Sequence, residues 1–148
     1  MVDMGTILQS FSQRRVAVAA TAKVNKQTIF EALAASGFTR INVTFDGAGD
    51  SGQIDNLAGF VGDVLTKIPE LKLTVQEASW SDSQIATKER TLPAAIEHLC
   101  YEFLEQQHGG WENNDGAFGK FTLDVVAKTV ELEFNGRYSD VHTSTHTF

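Results

Sequence analysis

The chain has 148 residues, enough for one domain with a substantial buried core. Its apolar share of 42% and charged share of 21% are those of a globular protein. The net charge of −7 argues against nucleic acid as a partner, because the mean field repels a polyanion and no basic stripe offsets it. A single cysteine, Cys100, excludes an internal disulfide and every multi-cysteine zinc pattern.

No run approaches the roughly 18 apolar residues of a membrane span, and the N-terminus lacks a basic start followed by an apolar stretch. The expectation is a soluble, cytoplasmic protein with no membrane partner. Residues 1–9 read as a flexible tail of one domain covering 1–148. From Ser12 to Ser36 the alanines favour helix, and Ile29, Phe30 and Leu33 give it an apolar face. One long helix is the first choice, with a break at Val24-Asn25 as the alternative. Gly37 is placed to cap its C-terminus.

Arg40 to Asp46 alternates strictly, with Ile41, Val43 and Phe45 on one side and Asn42, Thr44 and Asp46 on the other. This predicts a half-buried strand of an antiparallel sheet. A polar glycine loop, Asp46-Gly47-Ala48-Gly49-Asp50-Ser51-Gly52-Gln53, follows directly. For 53–64 the spacing of Ile54, Leu57, Phe60, Val61 and Val64 predicts an extended start and then a short helix ending before Pro69, although Gly59 and Gly62 weaken it. Leu71, Leu73 and Val75 predict another one-faced strand. Ser79 to Arg90 reads as an irregular surface loop.

Thr91 caps a second helix, with Pro93 in its first turn. Leu92, Ile96, Leu99, Cys100, Phe103 and Leu104 form the buried stripe. Glu97, Tyr101, Glu105 and His108 lie opposite. A second glycine loop, Gly109 to Gly119, then carries Trp111, Glu112, Asn113 and Asp115. It is longer than the roughly 2–6 residues a helix-to-strand connection needs. Two alternating segments, 121–125 and 130–134, predict a hairpin turning near Ala127-Lys128. The tail from Arg137 carries His142, His146 and Phe148. The two histidines read as loosely held, while Phe148 has apolar area to bury. The predicted fold is α+β: a mainly antiparallel sheet of four or five strands with two principal helices packed on one face.

Several chemistries compete for the two loops. Asp46, Asp50, Glu112, Asn113 and Asp115 supply oxygens and His108 and His146 nitrogens, a donor set that suits a divalent metal. Neither loop has calcium-loop spacing and no H-E-x-x-H occurs, and Asp or Asn beside Gly is also plain turn chemistry. Gly-Ala-Gly-Asp-Ser-Gly after a strand suggests a phosphate cradle, but Asp50 opposes an anion and no Gly-Lys-Ser/Thr follows. Ser51 as nucleophile needs a base that only the fold would bring, and Cys100 belongs to a buried stripe. The preferred reading is recognition of a protein partner or small ligand through Asp46, Gly49, Asp50, Ser51, Gln53, His108, Trp111, Glu112, Asn113, Asp115 and His146. In it Trp111 anchors, and Asp46, Asp50, Glu112 and Asp115 accept hydrogen bonds, which would favour a basic partner. The alternatives are a metal-dependent hydrolase using the same carboxylates and histidines, and, more weakly, a charge mimic of nucleic acid.

The segments F-D-G-A-G-D-S-G-Q-I (45–54) and L-E-Q-Q-H-G-G-W-E-N-N-D-G-A-F-G-K-F (104–121), with the closing T-H-T-F, resemble an uncharacterised family of small bacterial proteins encoded on mobile elements. The resemblance runs from about Thr39 to Phe148. It implies no reaction, substrate or cofactor. It implies that the positions of both loops, with Gly47, Gly52, Glu105 and His146, follow the family pattern. Lys120 stands where that pattern leads one to expect an acid, so a metal ligand there would be missing from this chain.

Overall fold

A computed structural model describes residues 4–48, 51–78, 85–108, 116–136 and 142–148, with side chains described for most of these from Val16 onward. Helix α1 (Met4–Ala35) is unbroken. It starts earlier than its expected beginning at Ser12, so the helical backbone takes in much of the segment read as a tail. Ala17, Val18, Ala22, Ile29, Phe30 and Leu33 recur on its inner side and are buried. Gly37 closes it with φ +84°: its N–H reaches the Ala34 carbonyl and that of Phe38 reaches Leu33. This two-bond closure is the Schellman motif, which needs a left-handed residue at Gly37.

Strands β1 (Arg40–Ala48), β2 (Ser51–Val61) and β3 (Val64–Thr66) follow, then β4 (Lys72–Ala78) and β5 (Ile85–Thr91). Helix α2 (Leu92–His108) precedes β6 (Ala117–Asp124), β7 (Thr129–Gly136) and β8 (His142–Thr147). Six strands form one antiparallel sheet in the order β3-β2-β1-β6-β7-β8, and β4 and β5 pair separately. The α+β class therefore holds, but with eight strands among the described residues instead of four or five. The helical packing also differs: α1 packs on α2 and on β4 of the smaller sheet.

Two segments depart from expectation. The helix expected within 53–64 is absent. Gly59 pairs with Ile41, and a Cβ there would meet Phe38 and Ile68 at 2.7 and 2.8 Å. Gly62, at φ +61°, makes the tight β2–β3 turn. The loop expected over 79–90 is in part strand β5, paired with β4 from Ile85 to Thr91. Its exposure explains the missed alternation, since Ile85 to Glu89 are all open to solvent.

The remaining local signals lead where they point. Thr91 Oγ1 accepts from Ala94 N at 3.4 Å at the start of α2, and the six residues of its predicted stripe are all buried. The β6–β7 turn ends on Lys128 at φ +59°, with Asp124 Oδ1 accepting from Ala127 N. One buried cluster joins Ile41, Val43, Phe45, Phe121, Leu123 and Leu132 of the sheet to both helices and Val75. Phe148 docks as its apolar area suggests: its ring lies 4.4 Å from that of Phe103, nearly parallel.

Candidate functional site

The glycine-loop ends of the large sheet are tied together by register. Gly47 of β1 pairs with Gly52 of β2 on one side and with Ala117 of β6 on the other. The first loop joins β1 to β2, and the second leads from α2 into β6. Both connections therefore open at one end of three adjacent strands, which stand about 5 Å apart. Gly49, Asp50, Trp111, Glu112, Asn113 and Asp115 lie outside the described residues, as do the side chains of Ser51, Gln53, His108 and Glu105.

Asp46 is the expected site residue whose surroundings are clearest. Phe45 turns into the core and is 2% exposed, so Asp46 turns to the opposite face of the sheet. Its register partners are Gln53 and Phe118, and Phe118 in turn pairs with Asn135. Phe118 is 36% exposed and thus offers an aromatic surface beside a carboxylate. Asn135 is buried and its Oδ1 accepts from the Thr143 hydroxyl. This row crosses the sheet just below the loops. Gly119, one step along, cannot carry a side chain: a Cβ would stand 2.0 Å from the Glu133 carbonyl.

His146 is set apart from this row. It pairs with Leu132 of β7 and its ring lies 6.3 Å from that of Phe148, on the helix side of the sheet. The structure therefore does not bring His146 to Asp46. Nor is it a loosely held tail residue, since β8 holds it in the ladder. Lys120, at the position of the expected acid, faces Glu133 at 3.9 Å. Among the described residues no group of three His, Cys, Asp or Glu is arranged to hold a metal ion.

A second polar cluster escaped the sequence reading. Glu102, on the border of the α2 stripe, is 6% exposed. Asn25 Nδ2 donates to its Oε1 at 3.1 Å, and the Thr21 hydroxyl stands 2.9 Å from its Oε2. His98, one turn earlier, places Nε2 3.0 Å from the same Oε1 and 3.8 Å from Glu77 Oε1. That nitrogen is off the line of a good hydrogen bond, so the contact is electrostatic and depends on the charge of the ring. Glu77 is held by Arg90 and by Lys88 at 3.0 Å. Burial pushes its carboxyl pKa up, but those two hydrogen bonds and the neighbouring positive charges outweigh burial and leave it below the usual 4.5. The cluster fastens the β4–β5 hairpin to the helices. The i, i+4 spacing of His98 and Glu102 was the available signal.

Cys100 is fully buried, and burial first, then the Glu97 charge, raises its thiol pKa far above the ordinary range. Burial and the neighbouring negative charge thus disfavour the thiolate at neutral pH. Tyr101, on the outer side of α2, accepts from Ile54 N through its hydroxyl at 2.9 Å and so ties the helix to β2. No helix among the described residues is long and apolar enough to cross a membrane.

The described residues define an α+β protein whose large sheet carries Asp46, Phe118 and Asn135 in one row at its loop-bearing end. The chain belongs to a family of unknown function, DUF6878, whose model matches residues 21–148. No curated protein and no solved structure matches it.

Proposed function

We propose that the protein is a recognition or regulatory module that binds a protein partner or a small ligand at the loop-bearing end of its large sheet. The observation that carries this reading is the register that sets Gly47 between Gly52 and Ala117. It roots two oxygen-rich glycine loops, distant in sequence, in neighbouring strands. Asp46 and Phe118 would form the floor of the surface, and Asp50, Trp111, Glu112 and Asp115 its rim. A carboxylate-rich rim around an aromatic favours a partner with exposed Lys or Arg. The protein would act in the cytoplasm.

The test compares affinity capture by the wild type with capture by a Trp111→Ala, Asp115→Ala variant of equal thermal stability. The reading predicts a partner retained by the wild type, released by moderate salt and lost from the variant. Identical captured species from both would refute it. A thermal shift series with magnesium, manganese, calcium and zinc addresses the hydrolase alternative. A shift abolished by Asp46→Asn would favour metal chemistry over recognition.

A further inference from the structure

Strand β8 is an edge of the large sheet, and among the described residues β7 is its sole strand partner. Its backbone orientation follows from one pair. Val130 and Phe148 exchange both bonds, Phe148 N to Val130 O at 2.7 Å and Val130 N to Phe148 O at 3.3 Å. Hydrogen-bonded pairs alternate along an antiparallel ladder. His146 and Ser144, two and four residues back, therefore also point their N–H and C=O groups at β7, opposite Leu132 and Phe134. Thr143, Thr145 and Thr147 then turn theirs outward, away from the sheet. All three are exposed.

A free edge of this kind is a template for another strand, and sheets usually guard it with charge, proline or a bulge. β8 has no proline, no Lys, Arg, Asp or Glu, and an unbroken register with β7. It is also self-complementary. Antiparallel pairing of β8 with a second β8 about a two-fold axis at Thr145 sets Thr145 opposite Thr145 and Thr143 opposite Thr147. Each of these is a hydrogen-bonded pair, so about six ladder bonds form at once. On one face the facing side chains are all threonine, a favourable cross-strand combination, and on the other Ser144 stands opposite His146 of the second copy.

We propose that two copies of this chain join edge to edge through β8, making one continuous sheet across a two-fold axis. The net charge of −7 opposes association, but the nearest acids among the described residues are Glu131 and Glu133 on β7. The two β7 strands would stand three strand spacings apart, about 14 Å. That exceeds the Debye length of about 8 Å at physiological salt, so the repulsion is largely screened and added salt strengthens the dimer. The interface lies three strands from β1 and leaves the loop-bearing end free in both copies, so its test is independent of ligand binding.

Sedimentation equilibrium on the full chain reads the outcome. The wild type shows a mass rising with concentration from 16.2 kDa towards twice that value. Thr145→Pro removes an outward N–H without touching the β7 ladder, and Thr145→Lys sets two like charges face to face on the axis. Both stay at the monomer mass, and their thermal midpoints equal that of the wild type at concentrations where it too is monomeric. Thr145→Cys, oxidised, gives a disulfide-linked dimer, whereas Thr143→Cys does not, because its partner is Thr147 of the other copy. A wild type that stays monomeric at all concentrations overturns the proposal. So does a dimer that survives Thr145→Pro and Thr145→Lys, or equal cross-linking of the Thr143 and Thr145 cysteine variants.

Discussion

The carboxamide of Asn25 lies edge-on against the backbone of Gln76, with Nδ2 donating to the Gln76 carbonyl at 2.8 Å and Oδ1 accepting from the Gln76 N–H at 2.8 Å. A helix side chain thus takes the place of a neighbouring strand on the free side of β4. The second Nδ2 proton goes to Glu102. Every polar atom of this buried amide is used, which is why an asparagine is tolerated 1% exposed in the middle of a helix.

Asn25→Ala should therefore destabilise the protein by about 1–3 kcal/mol, since it strands both polar groups of Gln76 and removes a donor from Glu102. Asn25→Asp should cost more, because it sets a carboxylate against a carbonyl and against Glu102. Urea melts read both values. A loss below about 0.5 kcal/mol for either variant would show that the junction contributes little.

Glu77 makes stability depend on acid pH. Its carboxyl pKa is lower in the fold than its usual 4.5, so the folded form releases this proton more readily than the unfolded chain. The stabilisation is complete above the usual value and is lost as pH falls through the lowered one. Melts between pH 6 and pH 3 should show a steeper loss for the wild type than for Glu77→Gln over the lower half of that range. Parallel curves would contradict the assignment.

Lys128 adopts φ +59°, a left-handed conformation that costs an L side chain roughly 1–2 kcal/mol. It is exposed and closes the β6–β7 turn. Lys128→Gly should raise stability by up to about 1 kcal/mol, the gain being reduced by the greater freedom of glycine in the unfolded chain. A drop in midpoint on this substitution would mean that the turn relaxes to a different geometry.

The burial of Cys100 yields a kinetic prediction. A water-soluble thiol reagent should leave the native protein unmodified over minutes and react at once in denaturant. Fast native labelling would show that α2 opens from the core.

The features legible in the sequence were those written in local chemistry. The alternation of Ile41, Val43 and Phe45, the Gly37 cap, the Thr91 cap and the α2 stripe each need only a few neighbouring residues to be read. The errors came where distant contacts decide. Ile54, Leu57, Phe60 and Val61 carry helical spacing, yet β1 draws them into a strand, aided by a register shift beside Thr44 and Phe45 that sets the alternation out of phase. β5 and β8 are strands with few buried side chains, so neither shows an apolar period. The candidate site was legible as two loops of unusual composition. Their shared root was not, because the pairing of β1 with β6 joins Gly47 to a residue seventy positions away.

Whether the loops share a surface is settled most directly by paramagnetic relaxation. A nitroxide is placed on Asp50→Cys, with buried Cys100 left unlabelled, and amide signals are followed in the folded protein. The account predicts strong broadening of residues 111–115 and sharp signals from Val126 to Lys128, which close the opposite end of β6 and β7. Sharp signals from 111–115 would contradict it.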